Sequence, residues 1–238
     1  MATEAIVVGV GAGQGLGAAL CRRFAREGHR VLAAGRSRER LEAVVSDIRQ
    51  AGGEAEAVVA DATHSLDILN LFERAADPEL VVYNVGNNVR APFRELSVET
   101  FEEAWRVNAL GGFVVGREAA RVLVPKGRGT LIFTGATASL RGAAQFAAFA
   151  SAKAALRAVA QSAARELGPL GLHVAHVVVD GGIDGERLRA RRPQRVAEAG
   201  QDGLLNIDAI ADAYWHIHCQ PRSAWTFELD LRPYKEPF

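Results

Sequence analysis

The chain has 238 residues, 49% of them hydrophobic, which is enough for one sizeable core and leads us to expect one domain over residues 1–238. Its 28 basic and 28 acidic side chains cancel to a formal charge of zero, without the basic excess of a nucleic-acid binder. Cys21 and Cys219 are too few for a disulfide framework, and no apolar run is long enough to span a bilayer. A soluble, cytoplasmic protein with neither nucleic-acid nor membrane partners is the expectation.

Taken in chain order, short apolar runs alternate with segments of helical spacing. Residues 5–10 form the first strand candidate, followed by a glycine turn, Gly9-Val-Gly11-Ala-Gly13-Gln-Gly15-Leu-Gly17, and a helix over 16–27. Strands over 30–34, 54–60, 80–84 and 129–134 are separated by helices over 37–51, 65–76 and 97–125. Ser37 and Ser97 stand where helix N-caps belong. A helix over 147–168, ended by Gly168 and Gly171, leads to strands over 173–179 and 226–231. Runs such as Ile6-Val-Val8 and Val174-Ala-His-Val-Val-Val179 are continuously apolar, as strands buried on both faces of a parallel sheet require. The pattern predicts an α/β fold: a doubly wound, Rossmann-type domain with a seven-stranded, mainly parallel sheet and helices on both faces.

Strand, glycine turn and helix in succession place a pyrophosphate on a helix N-terminus, because only a backbone without Cβ turns that sharply and approaches a phosphate that closely. About twenty residues on, a carboxylate would read a free ribose 2′-hydroxyl. This chain has Gly35 and then Arg36, Arg38 and Arg40. A guanidinium pairs bidentately with a 2′-phosphate, so the pattern favours NADP over NAD. The bland alternative is a solvated helix start with Glu39 and Glu42 balancing Arg38 and Arg40.

With these features the chain resembles the short-chain dehydrogenase/reductase family over nearly its whole length. That family's TGxxxGxG turn corresponds to Val10-Gly11-Ala-Gly-Gln-Gly15-Leu-Gly17, with Val10 replacing the Thr. The adenine-contacting Asp matches Asp61, ahead of Ala62; the NNAG segment matches Tyr83-Asn84-Val85-Gly86; the helical Asn matches Asn108. The resemblance implies a nucleotide cradle of Gly11, Gln14, Gly15, Leu16, Gly17, Arg36, Asp61, Ala62, Asn84, Gly86, Lys153 and Ile183, the last through its backbone. It also implies catalytic roles for Asn108 and Lys153, and a homodimer or homotetramer joined through the helices that carry those two residues.

The catalytic segment departs from the family. Its YxxxK reads Phe149-Ala-Ser-Ala-Lys153 here, and its Ser position is Ala136. In the family the Tyr hydroxyl moves the proton of the carbonyl/alcohol couple; Phe has none to move. Thr137, one residue off, is the nearest substitute; Ser151 faces elsewhere on the helix, and Tyr83, Tyr214 and Tyr234 lie outside the segment. Asp184 reads as a loop-capping carboxylate, with replacement acid/base as the alternative. Lys153 reads either as a ligand of the nicotinamide ribose or as a solvated helix lysine. The segment 184–195, with five arginines, reads as a solvated lid or as an attractor of an anionic substrate. His216 and His218 read as surface histidines, and no metal site is expected. These readings lead to an NADP(H)-dependent oxidoreductase with a non-standard catalytic site, suited to a small, conjugated substrate. The alternative is a catalytically inactive nucleotide-binding scaffold or sensor.

Overall fold

Alternate residues of each strand enter two different apolar clusters, and this alternation builds the sheet. The computed structural model describes residues 3–236. Its strands are β1 (Glu4–Val8), β2 (Arg30–Gly35), β3 (Ala55–Val59), β4 (Pro78–Tyr83), β5 (Thr130–Thr134), β6 (His173–Val179), β7 (Ile183–Asp184), β8 (Leu205–Asn206) and β9 (Glu228–Leu231). Seven of them form one sheet in the order β3-β2-β1-β4-β5-β6-β9, and every pairing in it is parallel. β7 and β8 form a separate two-stranded pair.

The helices are α1 (Leu16–Arg26), α2 (Arg38–Gln50), α3 (Ser65–Glu73), α4 (Val98–Trp105), α5 (Gly111–Leu123), α6 (Ala147–Leu167), α7 (Glu186–Arg191), α8 (Pro193–Ala199) and α9 (Ile207–His218). Ala5, Val7, Val31, Ala33 and Val82 pack with Leu20 and Phe24 of α1, Leu41 and Val45 of α2 and Tyr214 of α9. Their neighbours Ile6, Val8, Leu32, Ala34 and Val81 pack on the other face with Leu71 of α3, Val115 of α5 and Leu156 of α6. Period-two alternation is therefore present, hidden in the sequence because both faces are apolar. Chain order reverses between β1 and β4, and such a switch point opens a crevice at the strand carboxyl ends. No helix of the described residues is long and apolar enough to cross a membrane.

The seven expected strands are all present, with ends shifted by at most two residues, and the helix layers differ from expectation in three places. The helix expected over 97–125 is interrupted: α4 passes through a π-helical turn, Arg106–Leu110, before α5. The cause is Asn108, whose Nδ2 donates to Ala104 O at 2.8 Å, while Gly111 N–H reaches back to Arg106 O. The lid is folded, as α7 and α8. The sequence reading overlooked α9, although Ile207, Ile210, Ala211, Tyr214 and Ile217 have helical spacing and are buried. This helix also corrects the reading of its histidines: His216 is exposed, but His218 turns inward toward His29.

Asn206 caps α9, accepting from Asp208 N–H at 2.9 Å and Ala209 N–H at 3.0 Å. Asn206→Ala should lower unfolding free energy by about 1 kcal/mol in urea denaturation and Asn206→Asp by only a few tenths. Equal losses in both variants would show that the cap does not hold the helix.

Candidate nucleotide and catalytic site

The site residues expected from sequence all follow the carboxyl ends of strands or sit on the helices facing them. Gly11, Gln14, Gly15, Leu16 and Gly17 join β1 to α1. Gly9 has φ +102°, and a Cβ on it would lie 2.7 Å from the Asn84 carbonyl carbon. A Cβ on Gly17 would lie 2.7 Å from Gly9 O, so these two glycines are required by close packing of the turn. Asn84 completes the knot, its Nδ2 donating to Gly9 O at 3.3 Å.

Gly11 and Gly13 are different, since nothing lies within 4 Å of a Cβ built on either. The α1 N-terminus has no side-chain cap and no acidic residue in its first turn. An open glycine backbone beside an uncapped helix N-terminus fits a pyrophosphate, which would supply the missing acceptors.

Arg36 stands exposed just after β2, and its guanidinium makes no hydrogen bond or ion pair among the described residues. It lies close enough to Asp61 to act on its charge. Burial raises the Asp61 pKa, but Thr63, donating to Oδ1 from N–H at 2.9 Å and from Oγ1 at 2.8 Å, together with the charges of Arg36 and His64, outweighs it, so the carboxyl titrates below its usual range. Ala62, the next residue, is buried. Arg38 is partnered, weakly, by Glu42 at 3.9 Å.

Gly86, Asn108 and Lys153 converge. A Cβ on Gly86 would lie 3.9 Å from Lys153 Nζ and 4.0 Å from Asn108 Oδ1. Asn108 is fully buried and clasps Asn87, accepting from its N–H and donating to its carbonyl, both at 3.3 Å. Lys153 is only 3% exposed, which overturns the solvated-lysine reading. Its Nζ donates to Thr134 O at 2.9 Å and Val85 O at 3.2 Å. Burial alone pushes its pKa down to about 8. The carbonyls of Val85 and Thr134, and the role of Asn87, had no signal in the sequence because backbone acceptors are present at every residue.

Among the described residues, the hydroxyls considered in place of Ala136 and Phe149 are engaged elsewhere. The Phe149 ring lies 6.0 Å from Lys153 Nζ, in cation–π range. Ala136 N–H donates to Ser139 Oγ at 3.1 Å. Thr137, the substitute considered from sequence, gives its hydroxyl to Oδ1 of the buried Asp180. Ser151 is exposed and bonds Ala148 O at 3.1 Å. Tyr83 donates to Val107 O, and Tyr214 meets Thr134 Oγ1 at 2.9 Å; both phenols are pushed up by burial. Asp184 pairs with Arg189 at 2.8 Å rather than with the site.

The lid begins on the glycine turn: Glu186 N–H donates to Gln14 O at 2.8 Å. Ile183 lies just before, its carbonyl accepting from Gly185 N–H at 2.9 Å. Arg187 reaches across to Gly86 O at 3.3 Å, a contact the sequence did not reveal.

A family model for the short chain dehydrogenases matches residues 5–195, and the chain belongs to that family. The uncharacterized oxidoreductase YuxG of Bacillus subtilis (strain 168) is 34% identical over 205 residues, covering 82% of this chain and 30% of that protein. The chain thus matches less than a third of that relative's length. A short-chain dehydrogenase from Rhodopseudomonas palustris is similar in structure, with TM-score 0.83 and 42% identity over 98% of this chain and 99% of that one. A metagenomic short-chain oxidoreductase solved in complex with NADP has TM-score 0.81 and 25% identity, covering 98% and 96% of the two chains.

Lys153 gives a pH test. Its pKa is 10.5 when free and about 8 here. Between these values the unfolded chain binds more protons, so this group makes stability rise with pH; below pH 8 the cost of burying the charge is present in full. Unfolding free energies of the wild type and Lys153→Met, followed across this window, should diverge in the wild type's favour by up to about 1.4 kcal/mol per pH unit. A pH-independent difference would show that the ammonium is not desolvated.

Proposed function

We propose that the protein is an NADP(H)-dependent oxidoreductase that transfers hydride to or from a conjugated carbon acceptor and does not reduce simple ketones. One observation carries this reading: the groups suited to hold a nucleotide are in place, while the ring beside Lys153 Nζ belongs to Phe149. The open backbone at Gly11 and Gly13 and the uncapped α1 suit the pyrophosphate. Arg36, unpartnered and with no carboxylate at Gly35, suits a 2′-phosphate. The NADP held by the metagenomic relative supports the same choice. In this reading Asp61, Ala62, Asn84 and Ile183 border the remaining cradle, and Lys153 binds the ribose hydroxyls.

The nucleotide, when bound, supplies the hydride. What the chain adds is positioning and one positive charge. Reduction of a ketone needs a proton delivered to oxygen as hydride reaches carbon, and neither Ala136 nor Phe149 holds one. Addition of hydride to the β-carbon of an unsaturated carbonyl compound instead pushes the electron pair onto oxygen. The Lys153 ammonium stabilises that charge, and the α-carbon takes its proton from solvent.

Calorimetry should show NADPH binding at least about tenfold tighter than NADH, with the preference lost in Arg36→Glu. NADPH oxidation with enones or enoyl thioesters and none with ketones is the expected screen. Ketone turnover, or no binding of either nucleotide, overturns the reading; tight binding with no turnover selects the scaffold instead. The double variant Ala136→Ser with Phe149→Tyr should gain ketone reduction of about 10²-fold or more over background. A folded, NADPH-binding double variant that reduces no ketone would show that more than two hydroxyls separate this site from its relatives.

A further inference from the structure

The sheet's other end, where strands begin, holds a cluster that the nucleotide reading does not use. His29 lies just before β2, Glu79 is the second residue of β4, and His218 ends α9. One donor atom from each lies within 4.8 Å of the other two. His29 is 6% exposed, and neither of its ring nitrogens has a hydrogen-bond partner among the described residues. Two unsatisfied buried nitrogens on one ring are costly unless something binds there. His218 Nδ1 is fixed by Thr130 Oγ1 at 2.9 Å, which leaves Nε2 open to an ion. Glu79 Oε1 is held by Arg128 at 2.9 Å, while its Oε2 lies 3.9 Å from His29 Nε2. These contacts are the outer-shell partners that orient ligating imidazoles and carboxylates.

We infer that His29, Glu79 and His218 form a binding site for a divalent transition-metal ion, with zinc as the best match to two imidazoles and one carboxylate. Donors around a tetrahedral zinc stand roughly 3.4 Å apart, so the three side chains must close by about 1 Å on binding. Glu79, a quarter exposed, has room to move and leaves the fourth position to water. The ion would tie α9 to the starts of β2 and β4, about as far from the nucleotide as the sheet allows. It would be structural, since nothing connects it to the hydride site.

The test uses the full, tag-free chain, stripped with a chelator and titrated with zinc chloride. One equivalent should bind with Kd of about 10 μM or tighter. Glu79→Gln and His29→Gln should each weaken it by about tenfold or more, and His216→Ala, whose ring is exposed, should not change it. In the wild-type chain, two of the six histidines should show shifted imidazole resonances on saturation, which needs no variant to fold. Absence of saturable binding, binding undiminished in Glu79→Gln and His29→Gln, or binding lost only in His216→Ala would overturn the assignment.

Discussion

The ammonium of Lys153 is buried and held by the carbonyls of Val85 and Thr134, with no carboxylate paired to it among the described residues. A buried charge in that position fixes its surroundings, because each donor must find an acceptor in a space that water does not fill. The two carbonyls are the exits of β4 and β5, so α6 is clamped across the centre of the sheet's carboxyl edge. A Cβ on Gly86 would then lie 3.9 Å from the ammonium, and Asn108 is buried beside it. The π-turn in the α4–α5 rod is the backbone's accommodation to that demand. Gly135 follows from the same geometry, since a Cβ there would sit 2.4 Å from His176 Nε2.

The segments around Ala136 and Phe149 engage many of their polar groups internally. Where Ala136 stands, the backbone N–H is taken by Ser139. Thr137 is committed to Asp180, which Arg232 also holds at 2.7 Å and Arg141 at 3.5 Å. Phe149 offers Lys153 the face of a ring, a weaker partner than a phenolate but an attractive one. Ala136 N–H and Lys153 Nζ keep partners, while His176 Nε2, packed against Gly135, has none among the described residues.

Much of the fold was legible because a parallel sheet covered on both faces writes itself as short apolar runs between helical spacings. Ile6-Val-Val8 and Val174–Val179 could be nothing else at that length. The glycine turn, Asp61, Asn84, Asn108 and Lys153 were legible because side-chain identity carries their chemistry. The burial of Lys153 was only half visible, as an apolar neighbourhood without a stated partner. Val85 and Thr134 were invisible, since their contribution is a carbonyl. The π-turn was invisible because its cause is a single side chain choosing Ala104 O over solvent. His218 was misjudged for a related reason: with α9 unrecognised, nothing told which of two nearby histidines would face inward.

The polarity of the sheet explains why two such different clusters coexist in one chain. At the carboxyl edge the loops leave backbone N–H groups unsatisfied and one ammonium buried, an environment that attracts anions. At the amino edge the charges are side chains, already cross-linked. Arg30 bridges Glu4 and Glu56, and Asp77 holds Lys126 at 2.8 Å and Arg128 at 3.1 Å. Arg128 continues the chain to Glu79 at 2.9 Å. That network reaches the cluster of His29, Glu79 and His218, where Glu79 Oε2 lies 3.9 Å from His29 Nε2. Parallel strands force all their beginnings to one side and all their ends to the other, so ligand chemistry of opposite sign is sorted without any segment being shared.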